Sequence, residues 1–101
     1  MKATKVQYTV QPSFAETNSA NIRKVMQAIK DNQIAGVNYA AFRMPGSDTF
    51  VHVVVVSDDA AQLQLTGLDE FKAFQAALKE SKPTSPPSPE SWEVVGTSFD
   101  A

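Results

Sequence analysis

Hydrophobic and polar positions alternate from Lys5 to Gln11, with Val6, Tyr8 and Val10 on one face and Lys5, Gln7, Thr9 and Gln11 on the other. A period of two is the signature of a half-buried strand, and Pro12 ends it. The period then changes. Ile22, Val25, Met26 and Ile29 recur at helical spacing and predict one buried stripe, while Arg23, Lys24, Gln27, Lys30 and Asp31 face water. Ser13 stands three residues before Glu16, the spacing of a capping box, with Thr17, Asn18 and Ser19 as competing caps. Asn32 and Gly36 supply the stop.

Alternation returns from Val37 to Met44, placing Val37, Tyr39, Ala41 and Arg43 opposite Asn38, Ala40, Phe42 and Met44. Pro45-Gly46-Ser47-Asp48 predicts a tight turn, because Pro pre-sets φ and Gly tolerates positive φ. The turn leads into Thr49 to Ser57, the most apolar run of the chain and too rich in β-branched residues for a helix interior. These two strands form a hairpin, and the second is apolar on both faces: Val51, Val53 and Val55 on one, Phe50, Val54 and Val56 on the other. The segment Asp58 to Leu65 has only Leu63 and Leu65 as large apolar groups and is expected to be a loop or a single turn. Thr66 and Asp69 resemble a second cap, followed by a helix from about Leu68 to Ser81 that buries Leu68, Phe71, Phe74, Ala77 and Leu78. Lys82 to Pro89 contains four prolines and reads as a stiff extended connector. A last strand is expected from Trp92 to Phe99.

The order is βαββαβ, an α+β ferredoxin-like plan with a four-stranded antiparallel sheet in a single domain over residues 1–101. Two helices cover only one face of such a sheet. The strand from Thr49 to Ser57 is apolar on both, so the uncovered face would form an exposed patch. A second copy packing sheet to sheet resolves this, and a homodimer is expected.

Composition narrows the functional classes. The chain has 101 residues and a net charge of -2, with its basic residues scattered. A nucleic-acid partner, which needs a clustered basic face, is not expected. There is no cysteine and one histidine, His52, which removes thiolate chemistry and multi-histidine or cysteine metal sites within one chain. No apolar run approaches the roughly 18 residues of a membrane span. The N-terminal residues carry no signal-like apolar stretch, so a cytoplasmic location is expected.

The stretch Gly36 to Arg43, its short turn and Thr49 to Val53 resemble small proteins of the dimeric α+β barrel superfamily. Leu68 to Gln75 and Trp92 to Gly96 fit the same group, in its antibiotic-biosynthesis-monooxygenase-like branch. The resemblance covers nearly the whole chain. It implies two sheets paired into a barrel and a cavity between sheet and helices in each subunit. Some relatives use that cavity for cofactor-independent oxygenation of electron-rich aromatic compounds, others for haem degradation or isomerisation, and many have no known activity. Haem-degrading relatives place a histidine on the second helix. Leu68 to Ser81 contains none, so haem is not expected and no cofactor is assigned.

The branch shares no strict catalytic motif, so candidates rest on the residues themselves. His52 is the one side chain that changes charge near neutral pH without a large perturbation. It is a candidate general base for a phenol or enol, or else a structural hydrogen-bonding group. Tyr8 points toward the helix-covered core and needs a partner for its hydroxyl. Tyr39 and Arg43 share a face of the second strand. Together with Tyr8 they are candidate ligand-binding groups, with Arg43 suited to a carboxylate or enolate oxygen, although an ordinary ion pair at the sheet edge is the favoured reading of Arg43. Trp92 reads as an interface or edge-covering aromatic. The two functional classes are a cofactor-independent monooxygenase-like enzyme acting on a small aromatic or polyketide-like molecule, and a non-catalytic dimeric binding module.

Overall fold

The computed structural model describes residues 1–99. Four strands, β1 (Lys2–Thr9), β2 (Val37–Arg43), β3 (Thr49–Val56) and β4 (Ser85–Trp92), form one antiparallel sheet in the order β2-β3-β1-β4. Helices α1 (Ala15–Asp31), α2 (Asp59–Thr66) and α3 (Asp69–Glu80) complete the fold. This is the expected ferredoxin-like α+β plan with one extra helix. The β2–β3 hairpin turns where the Pro45-Gly46 pair indicates, and Gly46 takes φ +70°.

The register fixes which side chains share a face. Val6 pairs with His52, Tyr8 with Phe50, and Tyr39 with Val54. Those residues line the side that α1 and α3 cover, where Tyr8, Val10, Val25, Phe50, Leu65, Phe74 and Leu78 make the core. On the opposite side Ala3, Lys5 and Gln7 alternate with Val55, Val53 and Val51, and the row continues through Asn38, Ala40 and Phe42.

Three expectations are corrected. The fourth strand does not run from Trp92 to Phe99; it ends at Trp92 and is built from the proline-rich segment itself. Proline is excluded from a sheet interior because it lacks a donor, but β4 is an edge strand with only β1 beside it, where the missing N–H can face outward. A register shift between Gln7 and Thr9 accommodates the irregular start. Secondly, Asp59–Thr66 is a helix rather than a loop. The Asp58 carboxylate caps it by accepting from the Ala61 N–H at 2.8 Å, so a good cap and an alanine pair outweigh a poor apolar pattern.

Thirdly, neither expected capping box forms. Pro12–Phe14 make a 3-10 turn ahead of α1, which starts without a side-chain cap. Glu16 bonds Arg43 instead, at 3.0 Å. Thr66 closes α2, and Leu68 precedes α3 in an extended conformation. Past α1 the chain turns through Gly36, at φ +79°, where a Cβ would collide with the Ser57 hydroxyl. The positive φ favours glycine there, and the Ala61 and Ser57 Cβ atoms at 3.2 and 3.3 Å leave a side chain little room.

Candidate active site

Between the helix-side face of the sheet and helices α2 and α3 lies a cavity of about 560 Å³. That volume is within the range of small-molecule sites. Its walls are mostly apolar: Val6, Val54 and Val56 from the sheet, Leu65 from α2, and Phe71, Phe74 and Leu78 from α3. Pro83, Pro86 and Pro87 close one side. Lys2, Gln62, Gln75 and Lys79 are the long polar residues of the lining, and no carboxylate is among them.

The polar floor comes from three neighbouring strands. The Tyr8 hydroxyl lies 2.7 Å from Nε2 of His52, and the Tyr39 hydroxyl 2.6 Å from Nδ1. Behind Tyr8, the Asn18 Nδ2 of α1 donates to the same hydroxyl at 2.9 Å. Four side chains thus form one hydrogen-bonded row, Asn18–Tyr8–His52–Tyr39, running from the core to the cavity. Register produces it: the side chains at Tyr8, His52 and Tyr39 all project to one face, and the strand order β2-β3-β1 sets them side by side.

Aromatic packing holds the row in place. The Phe74 ring stacks on His52 with centroids 5.5 Å apart, and Phe50 stacks on Tyr8 at 5.7 Å. His52 is 4% exposed, and burial pushes its pKa down to about 4 from 6.5. The imidazole is therefore neutral at physiological pH, and its single proton sits on one nitrogen. Burial also raises the Tyr8 hydroxyl to about 12, against an opposing contribution from its Asn18 bond. Tyr39 is pushed up further, by burial first and by the neighbouring Tyr8 second. All three groups are uncharged hydrogen-bonding partners.

Of the residues singled out in the sequence, the structure brings His52, Tyr8 and Tyr39 together and leaves Arg43 apart. His52 occupies the helix-covered face. Arg43 lies near the hairpin end, bonding Glu16 and Asp48 at 3.0 Å each and the Ser47 carbonyl at 2.8 Å. It does not line the cavity. Trp92 stands at the end of β4 beside Ala3, with its ring beneath the Lys5 ammonium at 5.9 Å. Asn18 was missed. It is wholly buried, and its place four residues before Ile22 and seven before Val25 puts it on the apolar stripe of α1. A polar residue on such a stripe is a signal of an internal partner. Among the described residues, no group of three or more His, Cys, Asp or Glu side chains could hold a metal ion. No helix among them is long and apolar enough to cross a membrane.

No protein-family model matches the chain, and no curated protein matches it significantly. Solved structures do. A protein of Caulobacter crescentus CB15, provisionally named an antibiotic biosynthesis monooxygenase, superposes with a TM-score of 0.79 at 21% identity, covering 94% of this chain and 90% of its own. One from Bacteroides thetaiotaomicron VPI-5482, named in the same provisional way, gives 0.82 at 11% identity over 99% and 94% of the two chains. A third, from Deinococcus radiodurans and likewise named, gives 0.77 at 16% identity over 100% and 98%. The chain shares the fold of these monooxygenase-like proteins over 94% or more of its length.

Proposed function

We propose that the chain is a homodimeric enzyme of the cofactor-independent oxygenase type, taking a small electron-rich aromatic or polyketide-like compound into the cavity above His52. The observation that carries this reading is the convergence of Tyr8, His52 and Tyr39 at the floor of a mostly apolar cavity of about 560 Å³. Polar groups fixed in place at the floor of a mostly apolar pocket are what orients one oxygen of an aromatic ligand. The names borne by proteins of this fold point the same way.

In the chemistry that suits such a site, a ring methylene conjugated to a carbonyl through the flanking aromatic rings, as in anthrone, loses a proton to solvent to give an enolate. The carbanion adds dioxygen, and the hydroperoxide releases water. One oxygen atom ends in a new carbonyl and the other in water, so no external reductant is needed. Tyr39 binds the enolate oxygen, and the aromatic walls exclude water, which strengthens that bond. Lys2 and Lys79, with no carboxylate beside them in the lining, favour the anionic form. His52 acts through Tyr39 as a positioning residue. Arg43 has no part, because Glu16, Asp48 and Ser47 already hold its guanidinium.

The dimer is proposed from the other face of the sheet. Val51, Val53, Ala40 and Phe42 lie there with Trp92, and Phe42 is 57% and Trp92 49% exposed. A second copy packed on this face would bury them.

A second reading, a non-catalytic binding module, is favoured by one observation: both ring nitrogens of His52 are already engaged by tyrosine hydroxyls. Oxygen uptake separates the two. With anthrone as probe, in chelator-treated buffer, the enzyme reading predicts protein-dependent oxygen consumption and anthraquinone formation, slowed about 100-fold in Tyr39→Phe. Anthrone binding without oxygen consumption would overturn the enzyme reading in favour of the binding module.

A further inference from the structure

The row Asn18–Tyr8–His52–Tyr39 has a direction, and Asn18 sets it. Asn18 Nδ2 can only donate, so the Tyr8 oxygen accepts at that end. The proton of Tyr8 then has His52 Nε2 as its acceptor, 2.7 Å away. If Nε2 carried the histidine proton instead, Tyr8 would accept from both sides. Both tyrosines line the cavity, but the O–H then left over would be that of Tyr8, 2% exposed, rather than that of the half-buried Tyr39. Leaving the more buried donor unpaired costs more. The neutral ring must therefore carry its proton on Nδ1, which donates to the Tyr39 oxygen at 2.6 Å. Tyr39 in turn has its own proton left, and its side chain lines the cavity.

The orientation of the Asn18 amide is the origin of this polarity. As placed, its Oδ1 is buried without a partner. The reversed amide would let Tyr8 donate to Oδ1 and would invert every bond down the row. It would also bury the two-donor amino group where that partnerless oxygen now lies. An orphaned buried N–H is rarer and costlier than an under-satisfied carbonyl oxygen.

We propose that Asn18 is a positioning residue that holds His52 in its Nδ1–H form, so that Tyr39 offers a hydrogen bond to the cavity and the site selects ligands whose inner end is an acceptor oxygen. Ketones, quinones and phenolates meet that requirement. The ligand class rests on the cavity being the functional site; the histidine tautomer does not. A site of this polarity receives an enolate or carbonyl oxygen directly, and it cannot take a proton from a phenol at Nδ1 without first losing one.

The test is the ¹⁵N spectrum of the His52 ring, which is unambiguous because the chain contains a single histidine. In the wild-type protein at neutral pH, Nδ1 is expected to show a protonated, pyrrole-type shift and Nε2 an unprotonated, pyridine-type shift. Asn18→Leu keeps the branched shape and removes the donor, and should move both shifts toward a mixture of tautomers. Binding of 1-tetralone, a bicyclic ketone, should weaken about tenfold in Tyr39→Phe, the equivalent of one hydrogen bond. An Nε2–H ring in the wild type overturns the proposal without any variant, as does an Asn18→Leu spectrum identical to wild type. Tautomers as assigned with no 1-tetralone binding would overturn the ligand class and the cavity as a site, while leaving the polarity standing.

Discussion

The two faces of the sheet are made by alternate residues of the same strands, yet they differ in kind. On the helix-covered face, β3 presents Phe50, His52, Val54 and Val56, and β1 and β2 set two tyrosines against the histidine. Four of its polar side chains, Asn18, Tyr8, His52 and Tyr39, are bonded in one row. On the opposite face β3 presents Val51, Val53 and Val55, flanked by Ala40, Phe42 and Ala3, with Lys5 and Glu90 toward the β4 edge. One face lines the cavity above His52 and carries directional groups; the other presents mostly apolar side chains. Directional polar groups suit recognition of a small molecule, whereas a mostly apolar face suits packing against a second copy.

The largest effect that would break this comparison is expected at Phe42. Phe42→Glu would bury one unpaired carboxylate per subunit in the proposed interface, each costing several kcal/mol. The dimer dissociation constant should rise by about 1000-fold or more, as measured by analytical ultracentrifugation, while the fold and the cavity are kept. The next effect lies on the inner face. Because His52 is held neutral by burial, with a pKa of about 4 against 6.5, the unfolded chain takes up a proton between those values that the folded chain does not. Stability contributed by the neutral ring is complete above pH 6.5 and is lost as pH falls toward 4, by an amount on the order of 3 kcal/mol. Urea titrations across that window should show the loss, and His52→Gln should flatten it.

Smaller changes sharpen the contrast. Tyr39→Phe leaves Nδ1 of His52 without its partner and should destabilise the fold by about 1–3 kcal/mol, without altering the dimer. Asp58→Ala removes the cap of α2 and should cost about 1 kcal/mol. Since α2 supplies Gln62 and Leu65 to the cavity lining, ligand affinity should fall as well, and dimer affinity should not. Thermal denaturation and a ligand titration on each variant check both statements.

Much of this difference was legible in the sequence. Alternation placed Tyr8 on an apolar face and set His52 with Phe50, Val54 and Val56, and the turn at Pro45-Gly46 paired β2 with β3. What alternation does not say is which face the helices choose, so the meeting of Tyr8, Tyr39 and His52 waited on the strand order. Asn18 was hidden because asparagine near a helix start is read as a cap before it is read as a core partner. The strand at Ser85–Trp92 was hidden for a physical reason too. Proline forbids a central strand, but the sequence does not mark which strand will be the edge. Arg43 satisfied the sequence criteria for a ligand-binding group, yet the hairpin end brought Glu16 and Asp48 to it.

Native mass spectrometry of the protein with 1-tetralone tests most directly whether the two faces have separate roles. The account predicts a dimer with one ligand per chain, a Tyr39→Phe dimer that binds the ligand about tenfold more weakly, and a Phe42→Glu monomer that keeps it. A wild-type monomer, or a Tyr39→Phe variant that loses the dimer together with the ligand, would contradict it.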